Sequence, residues 1–318
     1  MCVRVYVPDR GQYPFGGVTL PDVALVQDGT TYSGKEMCSK INANNQDNGS
    51  YGITPVPPNF NLNKYIQLRQ EGNGTDSTPP TWPARNPAIF RAYFNNVYQQ
   101  CIVFTNGTDC NPSCTMDTDC ASAPGAPFCI EGKCSPVYDP AGVGLGNPSN
   151  RYLETYFDKG LGDIFVLRAK MPTTPKTFDG EKFIKPYEEY DMRYFSICPQ
   201  ESEATWRVGK CLYDQDIPVD DEGYYTVVIS GLSSKPKNAI KECGVAWTFS
   251  PPAGDGAGDI NLSNMWIRNM LPSSNFTFAA QNIRVSGTEE EVMGEYYPVG
   301  TYYKTKEDFE ELGCPPFE

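Results

Sequence analysis

The run Gly223-Tyr224-Tyr225-Thr226-Val227-Val228-Ile229-Ser230 decides how this chain is read. Its β-branched and aromatic residues fit the pleated, packed surface of a sheet, and a glycine opens the run. The spacing predicts a strand over 224–230. Just before it, Asp214-Gln215-Asp216-Ile217-Pro218-Val219-Asp220-Asp221-Glu222-Gly223 has the turn residues of a loop or hairpin leading in from Tyr213. The same kind of run recurs along the chain, at Val3 to Val7, Asp163 to Lys170, Tyr190 to Cys198, Arg207 to Tyr213, Val245 to Phe249, Met265 to Leu271 and Asn282 to Ser286. With 28 prolines and 29 glycines between them, these short strands predict a mainly β chain folded as a sandwich.

Three segments carry helix signals. Asn86-Pro87 reads as an N-cap with proline at the first helical position, followed by the rows Ile89, Tyr93, Val97 and Phe90, Phe94, Tyr98. Ser149 or Asn150 reads as the cap of a second helix with Tyr152, Leu153, Tyr156 and Phe157 inward and Gly160 at its end. The third runs from Thr305 as cap through Phe309 and Leu312 to Gly313, with Asp308 at the third position and Pro315 barring continuation. The segment from Asn42 to Arg85 reads as long surface loops. The domains expected are 1–100, strands, loops and one helix packed on the sandwich; 101–136, a cysteine-rich module; and 137–318, the sandwich core.

Twelve cysteines stand at Cys2, Cys38, Cys101, Cys110, Cys114, Cys120, Cys129, Cys134, Cys198, Cys211, Cys243 and Cys314. Zinc clusters favour paired C-x2-C knuckles, often with histidine, whereas the run from Cys101 to Cys134 is spaced x8, x3, x5, x8 and x4 in a chain without histidine. The spacing predicts disulfides in an oxidising compartment, with these six pairing among themselves. Five Asn-x-Ser/Thr sequons, at Asn48, Asn73, Asn106, Asn261 and Asn275, add an expectation of N-glycosylation and eukaryotic secretion. The opening Met1 to Pro8 reads as a strand without the apolar core of a signal peptide, so a leader is expected to have been removed. No stretch has the apolar length of a membrane helix, so no membrane insertion is expected. A formal charge of −13 disfavours nucleic acid as a partner.

From about residue 150 onward the chain resembles an uncharacterised group of secreted, mostly bacterial proteins that share a β-sandwich domain of unknown function. The likeness is carried, in order, by Gly162 to Pro172, Arg193 to Cys198, Gly223 to Val228, Cys243 to Trp247, Arg268 to Pro272, Val292 to Pro298 and Leu312 to Cys314, with a fainter match at Tyr6 to Asp9. The resemblance implies a jelly-roll-like sandwich with a few short helices; it implies no reaction. The cysteine-rich insertion departs from the group, and Cys114 to Cys134 looks like the small disulfide modules that decorate extracellular proteins.

The absence of histidine excludes every catalytic scheme that needs an imidazole and every histidine-ligated metal. No Gly-x-Ser-x-Gly elbow, Walker loop or dinucleotide fingerprint is present. Carboxylates remain available for glycoside cleavage, with Glu188, Glu189 and Asp191 on one side and Glu289, Glu290, Glu291 and Glu295 on the other, although such runs are usually solvated edges. Asp214, Asp216 and Asp220 offer the hard oxygens that calcium takes, without EF-hand order; the plainer reading is an acidic loop. Asp117 and Asp119 are read with the same reserve. The twenty tyrosines could stack on sugars, though most should be core, with one of each pair Tyr296-Tyr297 and Tyr302-Tyr303 exposed.

The function expected is a secreted extracellular glycoprotein with a non-catalytic structural or surface role, able to self-assemble, with no cofactor apart from a candidate calcium. Its partners would be other copies of itself, matrix or glycan components. The alternatives are a carbohydrate- or ligand-binding module and a carboxylate-based glycoside-acting enzyme.

Overall fold

A computed structural model of the chain describes residues 24–34, 36, 63, 65–67, 84–92, 112–120, 128–130, 133–135, 150–181, 189–202, 204–205, 207–283 and 287–317. The chain divides into two compact units, one of residues 1–55 with 176–183 and the other of 56–175 with 184–318. The strand expected at Val3 to Val7, the cysteines Cys2, Cys38, Cys101 and Cys110, the sequons Asn48, Asn73 and Asn106, and Glu188 lie outside the described residues.

In the first unit β1 (Ala24–Gln27) and β2 (Thr30–Ser33) form an antiparallel hairpin. In the second, β3 is Arg91–Ala92, β4 Phe128–Ile130, β5 Lys133–Ser135, β6 Asn150–Asp158 and β7 Ile164–Lys170. They are followed by β8 (Met192–Gln200), β9 (Leu212–Tyr213), β10 (Tyr224–Ser230), β11 (Val245–Phe249), β12 (Leu262–Pro272) and β13 (Val299–Tyr303). A four-stranded sheet runs β11-β10-β7-β13 and a five-stranded sheet runs β3-β6-β12-β8-β9. All neighbours are antiparallel except β10 and β11, which pair in parallel.

Alternation along each strand sends every second residue to the space between the sheets. Phe165, Leu167 and Ala169 of β7 and Tyr225, Val227 and Ile229 of β10 share one buried cluster with Leu153 and Phe157 of β6, Phe195 and Ile197 of β8, and Met265 and Ile267 of β12. Phe157 stacks on Phe165 with centroids 5.3 Å apart, and Phe195 meets Tyr225 at 5.8 Å, so aromatic rings from both sheets interdigitate. This is the mainly β, sandwich-like architecture expected, with short helices at Glu289–Met293 and Lys306–Glu310, further helical residues at 34, 36, 63 and 65–67, and several 3-10 turns.

Two short segments close the open sides of the sandwich. Residues 88–92 leave β13 and join β6: the Ala88 amide donates to the Gly300 carbonyl at 2.8 Å, and Arg91 and Ala92 pair with Glu154 and Leu153. A Cβ at residue 300 would stand 2.7 Å from that of Ala88 and 2.8 Å from the Phe165 ring, so this crossing needs glycine. On the other side the Gly209 amide donates to the Pro199 carbonyl of β8 at 2.8 Å, while the Thr248 hydroxyl of β11 donates to the Lys210 carbonyl at 2.6 Å.

Several local expectations are corrected. The helix expected from Ser149 or Asn150 is strand β6, buried along nearly its whole length. The helix expected after Asn86-Pro87 is, over the described residues, a cis peptide followed by extended chain with Ala88, Phe90 and Ala92 buried at alternate positions. The strand expected over Arg207–Tyr213 contracts to Leu212–Tyr213, and before it Val208 makes only an isolated antiparallel bridge to Gln200. Of the strand expected over Asn282–Ser286, Asn282 closes a 3-10 turn and its side-chain amide donates to the Thr277 carbonyl, while residues 284–286 lie outside the described residues. The third helix keeps the cap that was expected, the Thr305 hydroxyl accepting the Asp308 amide at 3.2 Å and the Asp308 carboxylate the Thr305 amide at 2.8 Å, but it ends at Glu310, so Phe309 is buried and Leu312 exposed.

Among the described residues four disulfides join Cys114 to Cys129, Cys120 to Cys134, Cys198 to Cys211 and Cys243 to Cys314. The first two lie within the cysteine-rich run and, with the β4-β5 hairpin, form a small module. Its Asp119 carboxylate accepts the Thr115 amide and hydroxyl and the Met116 amide, which hold it below the ordinary carboxylate range. The sulfurs of Cys114, Cys120 and Cys134 lie within 4.8 Å of one another, but in disulfides they have no thiolate to give a metal. Among the described residues no helix is long and apolar enough to cross a membrane.

Candidate functional site: a cleft on the outer face of the four-stranded sheet

The residues of β7 that face away from the core are Ile164, Val166, Arg168 and Lys170. Register places Thr226 and Tyr224 of β10 beside Arg168 and Lys170, and Thr301 and Val299 of β13 beside Val166 and Arg168. One end of this face is covered. Ile164, Val166, Val228, Val245 and Cys243 pack with Phe309 of the last helix, and Tyr303 and Phe317 close the rim. The Cys243–Cys314 bond and the Asn238 side-chain amide, which donates to the carbonyls of Phe309 and Gly313, hold the segment carrying Phe317.

The other end stays open as a cleft of about 420 Å³. Val166, Arg168 and Thr301 of the sheet face line it, together with Tyr303, Phe317, Tyr224, Glu290, Glu295 and Tyr297. A volume of this order is usual for small-molecule sites.

Arg168 is its hub. Its guanidinium carbon lies 5.2 Å from the centroid of Tyr224 and 5.3 Å from that of Phe317, while its nitrogens donate to Asp220 at 2.6 Å and Thr226 at 3.1 Å. The acidic loop places Asp220: its second oxygen accepts the Tyr224 and Glu222 amides, and Gly223, at φ +85°, makes the turn that an L-side chain would strain. Burial pushes the Asp220 carboxyl up, but the Tyr224 amide and the Arg168 guanidinium outweigh it and hold the group below the usual range.

At the mouth, the Tyr224 hydroxyl donates to one oxygen of Glu295 and Lys170 donates to the other at 3.1 Å. These bonds, the tyrosine's first, hold Glu295 below the ordinary carboxylate range, and Glu295 in turn raises Lys170 and Tyr224. Val299, 56% exposed, adds apolar surface beside them.

The sequence's candidate carboxylates therefore separate. Glu290 and Glu295 line the cleft, whereas Glu289 is fully buried and accepts the Ala92 amide at 3.1 Å, the Gly287 amide at 2.8 Å and Arg91 at 3.3 Å. Asp191 accepts the Thr173 amide. Asp214 is buried and accepts the Phe195 amide at 2.9 Å, Asp216 pairs with Lys241 at 3.3 Å, and Asp220 serves Arg168, so the three calcium candidates turn to separate partners. Of the described sequons, Asn261 and Asn275 are exposed. Of the paired tyrosines, Tyr302 is buried and Tyr303 half-buried at the cleft.

Sequence reasoning passed over Arg168, Lys170, Tyr224, Val299 and Phe317. One signal was available: in Ile164 to Lys170 the two cations fall on a single face, at alternate positions.

No family model matches the chain, and no curated protein matches it. Among solved structures it is similar to an uncharacterised protein from Burkholderia cenocepacia at 11% identity and a TM-score of 0.30, over 66% of this chain and 40% of that one. It is also similar to the VPA0106 protein from Vibrio parahaemolyticus at 13% identity and a TM-score of 0.29, over 52% of this chain and 33% of that one. The chain thus spans less than half the length of either.

Proposed function

We propose that this chain is a secreted, extracellular glycoprotein with a non-catalytic surface role, exercised by binding a ligand in the cleft beside Arg168. The observation that carries this reading is the Lys170–Glu295–Tyr224 chain at the cleft mouth. A carboxylate held ionised by a cation and a phenol is suited to accept hydrogen bonds, whereas a catalytic acid needs its proton held at neutral pH. That chemistry supports a binding role for Glu295 and does not suit it as a catalytic acid. Four disulfides fit an oxidising compartment, and the exposed Asn261 and Asn275 are open to glycosylation.

Self-assembly through strand edges receives less support. Just before β3 the Tyr297 hydroxyl accepts the Phe90 amide and donates to the Phe90 carbonyl, and on β3 Glu289 takes the Ala92 amide. These side chains occupy groups through which another strand would add.

The test is a saturation-transfer NMR screen of extracellular metabolites and oligosaccharides against the purified protein and a Thr301→Trp variant, which fills the cleft. Ligands that bind the parent and not the variant support the reading. A screen without cleft-dependent binders contradicts it.

A further inference from the structure

The polar groups of the cleft select among ligand classes. Each cation that lines or borders it is matched, Arg168 by Asp220 and Lys170 by Glu295, so neither is left as a lone site for an anion. Glu290 and Glu295 would further repel a sulfate, phosphate or carboxylate. A cationic ligand would meet the like charges of Lys170 and Arg168.

What the mouth retains is hydrogen-bonding capacity of both kinds on adjacent atoms. Each Glu295 oxygen accepts one bond and each has a second lone pair. Lys170 gives one of its three N–H groups to Glu295. In the same cleft, Val299 and Phe317 offer apolar surface. A pyranose presents that combination in reverse: neighbouring hydroxyls that donate and accept, and a C–H face that packs on apolar and aromatic carbon.

We propose, building on the ligand-binding reading above, that the cleft takes a neutral hexopyranose unit of an extracellular glycan. Two adjacent hydroxyls bridge Glu295 and Lys170, and the C–H face of the ring lies on Val299 and Phe317. Glu295 sets the specificity, because it fixes both the Tyr224 hydroxyl and the Lys170 ammonium.

The test titrates the full chain with three kinds of probe: neutral gluco-, manno- and N-acetylglucosamine oligomers; sulfated and uronate oligomers; and spermidine. Parent protein and Glu295→Gln are compared, with near-ultraviolet circular dichroism confirming that both are folded. The expected result is saturable binding of at least one neutral oligomer, weakened about tenfold or more in Glu295→Gln, the usual scale for losing a hydrogen bond to a charged group. Glu295→Gln binding neutral oligomers as well as the parent would overturn the proposal. Cleft-dependent binding of only the anionic oligomers or spermidine would overturn it too, while leaving the ligand-binding reading intact. If no probe binds either protein the glycan proposal falls, and the ligand-binding reading is then judged by the cleft-filling variant's screen.

Discussion

On the outer face of the five-stranded sheet, Gln200 donates to Asn264 at 3.2 Å and Asn264 donates to Glu154, with the three residues 2%, 0% and 3% exposed. On the outer face of the four-stranded sheet, Lys170 and Tyr224 donate to Glu295, and this chain of similar length lies in the open. Both come from the same device, alternation along a strand, and both end on a glutamate. Burial separates their roles. In the first chain every group must find its partner inside the protein, because an unpaired polar group away from water is expensive, and so the chain specifies the sheet. In the second, water can reach the spare lone pairs, which in the proposed reading serve recognition.

The largest effect should come from the covalent tie that keeps the open face in shape. Cys243 and Cys314 close a loop of 71 residues and Cys198 and Cys211 one of 13. In the chain-entropy account, replacing the first pair by serine lowers stability by about 4 kcal/mol and the second by about 3 kcal/mol. Urea unfolding of the two double variants gives the order; the reverse order would show that the segment carrying Phe317 is not fastened in the way described.

Next, Asn264→Ala should destabilise the protein by about 2 to 3 kcal/mol, because it strands hydrogen-bonding groups of Glu154 and Gln200 in the interior. A change below about 0.5 kcal/mol, the range of ordinary surface substitutions, would erase the distinction between the two faces.

A smaller effect concerns pH. Burial raises the carboxyl of Asp214 above its ordinary range, against the Phe195 and Gln215 amides that pull it down. Between the unfolded and the folded pKa the native state therefore holds a proton that the unfolded chain has released, so stability falls as pH rises through that window. The lowered Glu295 works in the opposite sense, its contribution being lost as pH falls through its folded pKa. Thermal unfolding against pH should show the Asp214 component in the parent and lose it in Asp214→Asn; identical profiles would contradict it.

The comparison also explains which parts of the fold were legible in the sequence. Tyr224–Ser230 and Val245–Phe249 are found where they were read, since β-branched and aromatic runs have few other readings. Strand β6 was misread because both of its faces are buried. Leu153 and Phe157 point to the core while Tyr152, Glu154 and Tyr156 are buried on the other side, so no polar face marks a period of two, and the i+4 aromatic spacing imitates a helix. At Phe90 to Ala92, pairing with β6 overrides the helix cap suggested by Asn86-Pro87. The cleft was hardest to see, since Arg168, Tyr224, Glu295 and Phe317 are far apart in sequence and only strand register and a disulfide bring them together. The acidic loop was recognised; its task of holding Arg168 through Asp220 depends on a contact between residues 52 positions apart.

The account rests on the open face carrying recognition while the buried face carries stability. The most direct test measures urea unfolding and neutral-oligosaccharide affinity side by side in Val299→Asp and Asn264→Ala. The account predicts that Val299→Asp stays within about 0.5 kcal/mol of the parent in stability and loses about tenfold or more in affinity, with Asn264→Ala showing the opposite pattern. Val299→Asp binding as well as the parent, or Asn264→Ala losing affinity while keeping its stability, would contradict it.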